Sequence, residues 1–293
     1  MTSAPVDRFV VAVEDRRPAV VDVIRRARRQ LTLSLFRCND DEIFAELTAA
    51  TARGVAVDVL VTSRSKGGHQ RRQKLRHALE RAGASVYAYN DHVVKYHAKY
   101  LVADEGPAVV ASLNFTKKCF RMTWDALVIT HDPEVVSGLG CLMAADCRRE
   151  PIPDDLTPRL IVGPERARRQ LTTLLEQART SIRLIDAKLS DPDLIALLKA
   201  KHEAGVAVEI FSSKHLAGMK SHGKIMVIDD RILVVGSLAL SALSLDFRRE
   251  VSIVVNEPSA VREAVRLFEW IDVQRPSPPV VGDALDVPLS HEL

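Results

Sequence analysis

Two kinds of hydrophobic periodicity alternate along the chain. Helical spacing marks residues at about 16–29, 40–53, 164–178 and 191–203. Short apolar or alternating runs follow them: LTLSLF (31–36), VAVDVLV (55–61), SIRLID (181–186) and VAVEIFS (206–212) read as strands. Further strands are expected at AVVAS (108–112), ALVIT (126–130), ILVVGS (232–237) and VSIVV (251–255), with closing helices opened by Asp132-Pro133 and Glu257-Pro258. Gly54 and Gly205 stand just past helix ends, where a left-handed residue is needed, and Ser190-Asp191-Pro192 supplies a cap followed by a first-turn proline. Strands alternating with helices predict an α/β layered fold with a mixed, largely covered sheet.

The pattern occurs twice. Residues 31–61 lie over 182–212 without a gap, GVAVDV (54–59) falling on GVAVEI (205–210) at an offset of 205 − 54 = 151. HAKYLVAD (97–104) lies over HGKIMVID (222–229) at 222 − 97 = 125, and this register places Ser112 on Ser237, Asp125 on Glu250 and Pro133 on Pro258. The difference, 151 − 125 = 26 residues, is an extra helix–strand element within 63–96 of the first copy. The organisation read from this is a first half at 1–149, a linker EPIPDDLTP at 150–158, a second half at 159–274 and a Pro-rich loose tail at 275–293.

Composition narrows the partners. A 5% aromatic content argues against a base-stacking platform, and a net charge of +3 admits a phosphate-bearing partner without demanding one. No secretory leader and no run long enough to span a membrane is visible, so a cytoplasmic chain is expected, peripheral on the inner membrane face where it meets lipid. Cys38, Cys119, Cys141 and Cys147 lack C-x-x-C spacing, which predicts reduced thiols and no zinc site.

On an extended strand, side chains two apart share a face, so His97 and Lys99 point together, as do His222 and Lys224. Asp104 and Asp229, seven residues past each His, turn the other way and are expected to hold backbone at strand ends. Ser112, Asn114 and Ser237 fall where strands end and can donate to an anionic oxygen. Thirteen residues after each Ser comes a carboxylate, Asp125 or Glu250, which can fix an imidazole tautomer by accepting its Nδ1–H.

With these residues in place the chain resembles the phospholipase D superfamily, whose signature is H-x-K-x4-D-x6-G-S-x-N present twice. The resemblance covers residues 14–272, including S-L-D-x-R-R-E at 244–250. It implies two pseudo-twofold-related α/β sandwich halves, mixed β-sheets flanked by helices, with one active site at their seam. A single chain suffices to build that site. It also implies a phosphodiester substrate cleaved through a covalent phosphohistidine. His97 is taken as nucleophile and His222 as general acid, with the phosphoryl oxygens held by Lys99, Lys224, Ser112, Asn114 and Ser237. No metal or other cofactor is called for. The sequence departs from the signature at Ala111 (Gly expected; Gly236 keeps it in the second copy), at Ala239 (Asn expected) and at Asp125 (Glu expected). The shorter Asp125 predicts a looser or water-mediated grip on its imidazole.

A phospholipid at a membrane surface is the favoured substrate, with a phosphatidyltransferase of the cardiolipin-synthase kind as the model. A cytoplasmic nuclease using the same two histidines is the alternative, and a catalytically weak phosphate-binding member the third reading. The basic run SRSKGGHQRRQKLRHALER (63–81) is read as a solvated helix, its apolar stripe at Leu75, Leu79 and Ala82, or as a clamp for anionic headgroups or nucleic acid. SSKHLAGMKS (212–221), with Leu216 and Met219, is read as a gate over the site.

Overall fold

A computed structural model describes residues 5–64, 68–213, 215–216 and 218–274. The expected tail at 275–293 lies outside the described residues, as do 65–67 of the basic run and 214 and 217 of the gating loop.

The chain opens with β1 (Asp7–Val10), α1 (Val13–Arg26), β2 (Gln30–Leu35), α2 (Asp41–Ala52) and β3 (Ala56–Thr62). It continues through α3 (Gly68–Arg81), β4 (Ser85–Tyr89), β5 (Lys95–Tyr96), β6 (Tyr100–Ala103) and β7 (Ala108–Ala111). Then come α4 (Lys117–Arg121), β8 (Thr123–Trp124), β9 (Leu127–Thr130) and α5 (Pro133–Arg148). The second half begins with β10 (Leu160–Val162), α6 (Ala167–Gln177), β11 (Ser181–Ile185), α7 (Pro192–Glu203) and β12 (Ala207–Phe211). A short hairpin, β13 (His215–Leu216) and β14 (Met219–Ser221), leads to β15 (Ile225–Ile228) and β16 (Ile232–Gly236). The described chain ends with α8 (Ala242–Phe247), β17 (Arg248–Arg249), β18 (Val251–Val255) and α9 (Pro258–Val273).

The two large sheets among the described residues are ordered β1-β9-β7-β6-β2-β3-β4 and β10-β18-β16-β15-β11-β12, beside two small ones, β13-β14-β8 and β17-β5. With β4 set aside, the orders match strand for strand. α3 and β4 are therefore the helix–strand element that the first copy has in excess. The pairs β2–β3, β3–β4 and β11–β12 are parallel and the other pairs of these two sheets antiparallel.

Both faces of the central strands are buried, which is why they read as unbroken apolar runs. In β6, Tyr100 and Val102 face the core between the sheets while Leu101 and Ala103 face α1 and α2. In β16, Leu233 and Val235 face inward and Val234 faces α6 and α7. The sheets touch at β7 against β16 and β18, flanked by α5 over the first sheet and α9 over the second. The helix caps obey the repeat as well: Asp40 caps α2 and is held by Arg17 at 2.7 Å, while Asp191 caps α7 and is held by Arg168 at 2.8 Å. α1 begins at Val13, earlier than the periodicity places it, and carries Pro18 within its second turn.

The His-x-Lys residues are not on strands, contrary to the expectation. β6 starts only at Tyr100 and β15 only at Ile225. The reason is a competing set of partners: the His97 N–H donates to Arg249 O (2.9 Å) and the His222 N–H to Trp124 O (3.3 Å), across the seam between the halves. β5 pairs in parallel with β17, and β14 with β8, so each half lends a two-residue ribbon to the other.

Close approach of backbone explains two glycines, Gly223 at this seam and Gly236 between β16 and β18 of the second half. A Cβ on Gly223 would stand 2.7 Å from Trp124 O, and one on Gly236 would overlap Ser252 Cα and Val251 O. Gly236→Ala must push β16 from β18 beside Ser237 and Glu250. It is expected to cost about 2–3 kcal/mol, at the upper end of overpacking penalties, as read by urea denaturation.

Candidate active site

The two ribbons converge on crossed pairs. His97 of the first half meets Glu250 of the second, Nδ1 to Oε2 at 2.8 Å. His222 of the second half meets Asp125 of the first, Nδ1 to Oδ1 at 2.9 Å and to Oδ2 at 3.0 Å. Each imidazole thus depends on the opposite copy for the carboxylate that orients it. The looser grip expected of Asp125 is corrected: its contact with His222 is direct. Beside His222, the Gly223 N–H also donates to Trp124 O, at 2.5 Å, a close approach that a Cβ would block and that brings this segment within reach of the shorter side chain.

Both carboxylates are fully buried and hydrogen-bonded on their far sides. Asp125 accepts from Ser112 Oγ (2.7 Å) and Thr123 Oγ1 (2.6 Å); Glu250 accepts from Ser244 Oγ (3.0 Å). Ser112 also takes the Ala126 N–H at 2.9 Å, and Ser237 takes the Val251 N–H at 3.0 Å and lies against Val251 O. The sequence reading aims both hydroxyls at a phosphate. Here a serine has one proton to give, and Ser112 gives it to Asp125. Asn114 is buried, and its Oδ1 has no hydrogen-bond partner among the described residues. The equivalent place in the second half holds Ala239, whose N–H donates to Ser244 Oγ at 3.0 Å.

The lysines form a buried cationic floor. Lys99 is 2% exposed and donates to His97 O at 2.6 Å; Lys224 donates to His222 O. Desolvation pushes Lys99 down to about 7, against the pull of Glu250. Asp104 and Asp229 sit at positive φ at the outer ends of the β6 and β15 strands. They accept the backbone N–H groups of Arg28, Arg29 and Gln30, and of Arg179, Thr180 and Ser181. They tie strand to strand, well away from the imidazoles.

Electrostatics make the two histidines unequal. Desolvation, with Lys99, Arg248 and Lys224 nearby, holds His97 well below the ordinary imidazole range. At His222, Asp125 pulls the value up, but desolvation with Lys224 and Lys99 outweighs it and the net direction is down. The carboxylates differ in parallel. Burial raises Glu250, whereas Asp125 stays below its ordinary value despite burial because His222, Thr123 and Ser112 stabilise its charge. His222 therefore carries a proton more readily than His97.

Several participants escaped the sequence reading. Arg16, wholly buried on α1, donates to Thr123 O (2.6 Å) and Val11 O (2.7 Å) and feels Asp125 as an attractive charge. Phe36 packs on the His97 ring, centroids 4.3 Å apart, with Lys99 Nζ 5.3 Å from its own centroid. Lys188 is pushed down to about 8 by desolvation and by Lys224. Its signal was available: 37 + 151 = 188 places it over Arg37, a cation at the same point of both copies.

Cys119, Asp125 and His222 bring ligand atoms within 4.8 Å of one another, the one such group among the described residues. Both Asp125 oxygens are already engaged by hydroxyls and Nδ1, which leaves the group poorly suited to a metal ion. An open groove of about 760 Å³ runs elsewhere along α5, past Asp58, Tyr87 and Cys147, and holds neither histidine nor lysine of the repeat.

Paired α/β halves that exchange histidines and carboxylates over a lysine floor define a protein of the phospholipase D superfamily. A family model described as "Cardiolipin synthase, PLD-like domain" matches residues 20–146 and 211–271, and the chain belongs to that family. It is 29% identical over 129 residues to cardiolipin synthase A of Pseudomonas aeruginosa, and 27% over 149 residues to that of Pseudomonas syringae. These matches take in 43% and 50% of this chain, and the chain spans only 26% and 30% of the length of those relatives. Among solved structures, phosphatidylserine synthase of Haemophilus influenzae superposes with a TM-score of 0.72 at 11% identity, over 96% of this chain and 89% of that one. Polyphosphate kinase of Porphyromonas gingivalis superposes with a TM-score of 0.75 at 20% identity, over 90% of this chain and 46% of that one. At those identities they show the fold.

Proposed function

We propose that the chain cleaves or transfers a phospholipid phosphodiester through a covalent intermediate on His97, with His222 as proton donor. The observation that carries this reading is the crossed pairing with unequal proton affinities. His97 is the neutral imidazole, its Nδ1–H given to Glu250 and its Nε2 3.4 Å from Lys99 Nζ, which must yield that nitrogen to phosphorus; His222 is the one supported by a charged aspartate.

In the first step His97 Nε2 attacks phosphorus. The N–P bond forms as the ester P–O bond breaks, and His222 gives its proton to the departing alkoxide. In the second, His222 takes a proton from water or an alcohol, whose oxygen attacks phosphorus and breaks the N–P bond. Lys99 and Lys224 neutralise the non-bridging oxygens, and we assign the buried Asn114 amide to the same phosphoryl group. Ser112 acts through Asp125, and Ser237 braces the strand beside Glu250. The family model and the curated relatives, named for cardiolipin synthase, support a phospholipid as substrate.

The test is chemical. A labelled phosphodiester quenched in alkali should leave an acid-labile phosphate on His97, and EDTA should leave the rate unchanged. No label on either histidine would sink the covalent step. Parallel assays on anionic phospholipid vesicles and on DNA decide the substrate, and DNA cleavage without lipid turnover would overturn the lipid assignment.

A further inference from the structure

The two seam ribbons end inside on the catalytic pairs and outside on bare apolar side chains. In the first, Thr123 pairs with Lys220, which sets Met122 beside Met219; Met122 is 61% exposed. The Lys220 N–H donates to Met122 O at 3.3 Å. Trp270, half-exposed near the end of α9, packs on Trp124 of the same ribbon with centroids 5.5 Å apart. In the second, Arg248 pairs with Lys95, which sets Phe247 beside Val94; Phe247 is 48% exposed and Val93 69%.

Single exposed apolar residues are ordinary on any protein surface. These two are not independent. Because 122 + 125 = 247, Met122 and Phe247 occupy the same position of the repeat, each three residues before the carboxylate that orients a histidine. The repeat relates them across the crossed histidine–carboxylate pairs. Cations stand around them: Lys118, Arg121 and Lys220 are exposed at the first ribbon, Arg37 and Lys188 at the second. Of the nearby acids, Asp91 is engaged by Arg149 at 3.0 Å and Asp246 by Arg168 at 2.6 Å, while Glu269 and Asp272 stand exposed beside Trp270.

We propose that the two ribbon tips dock the protein on an anionic phospholipid surface. Met122 and Phe247, with Trp270, enter between headgroups while the surrounding Lys and Arg meet lipid phosphates, so that the cleft is held over its substrate. Apolar tips ringed by cations fit an interface that is apolar below and negative above. A second copy of the chain fits less well, since a twofold contact through these tips would set like charges against each other. No helix among the described residues is long and apolar enough to cross a membrane, so contact of this kind would be made by the tips. The orientation rests on the phosphodiester reading, but the binding does not.

The experiment uses the full chain, vesicles of phosphatidylglycerol mixed with phosphatidylcholine, and vesicles of phosphatidylcholine alone. Co-sedimentation is expected with the anionic vesicles only and should weaken as salt rises. The M122S/F247S double variant should bind about tenfold or more weakly, by loss of apolar insertion. It should keep its turnover of soluble bis(4-nitrophenyl) phosphate. Should that variant fold poorly, the native protein still decides, because brominated phosphatidylglycerol should quench its tryptophan fluorescence. Unchanged binding by a folded double variant, absence of binding by the native chain, or unquenched tryptophan overturns the proposal. So does self-association abolished by the same substitutions without vesicle binding. Vesicle binding without soluble diester turnover leaves docking standing and sinks the chemistry, and the reverse sinks docking alone.

Discussion

His222→Ala is expected to slow turnover of an alkyl phosphodiester by about 10³–10⁴-fold, the upper range for a general acid, yet to keep a stoichiometric burst of 4-nitrophenolate from an aryl diester. An alkoxide leaves only with a proton, whereas 4-nitrophenolate leaves without one. The first step therefore survives the loss of the acid when the leaving group is good. The second does not, because no base remains to take the proton of water, and the phosphoenzyme should accumulate. His97→Ala should remove burst and turnover alike, for no nucleophile is left. The structure breaks the symmetry of the repeat in favour of this order. His97 is the more desolvated imidazole, set against Phe36 and the ammonium of Lys99, while His222 has a carboxylate held ionised by two hydroxyls. A burst from the His97 variant and none from the His222 variant would reverse the roles.

Much of this site was legible as spacing. The offset of 125 carries His, Lys, Ser and carboxylate from one copy to the other, and the 26-residue excess is α3 with β4. The crossing was not legible. β5, β8, β14 and β17 are two or three residues long, too short for any alternation to show, and their parallel pairing joins residues more than ninety positions apart. A reading by proximity in sequence links Asp125 to its own copy, whereas it serves His222. The partners of Ser112 were not legible for a related reason: which acceptor a hydroxyl meets depends on the fold, and only the folded chain brings Asp125 Oδ1 to 2.7 Å from it. Arg16 reads as one more charge on an amphipathic helix. Its burial follows from the carbonyls of Thr123 and Val11, which no local pattern announces.

Because the pairs are crossed and unlike, neutralising each carboxylate should fail in its own way. Asp125→Asn should lower kcat/KM for an alkyl diester by about 10²–10⁴-fold at neutral pH, the range for acid–base groups. The amide can turn its NH2 to Thr123 Oγ1, which can then give its own proton to Cys119 O, and keep its oxygen on His222 Nδ1–H, but the charge that supports a proton on His222 is gone. The sign follows directly. His222 works protonated, Asp125 is the group that raises its pKa, and without it deprotonation comes at lower pH. The alkaline limb of the pH profile should therefore move toward acid. An aryl diester, which needs no proton, should recover most of the loss in its burst. Glu250→Gln keeps an oxygen that can accept the His97 Nδ1–H, and its lost charge is felt at Lys99. Glu250 is the group that opposes desolvation at Lys99, whose pKa already lies at about 7. Its removal should let Lys99 lose charge below neutrality, so KM rises with pH for aryl and alkyl substrates equally. If Asp125→Asn impairs both leaving groups to the same extent, Asp125 does not serve the leaving-group proton, and His222 is not the acid it supports.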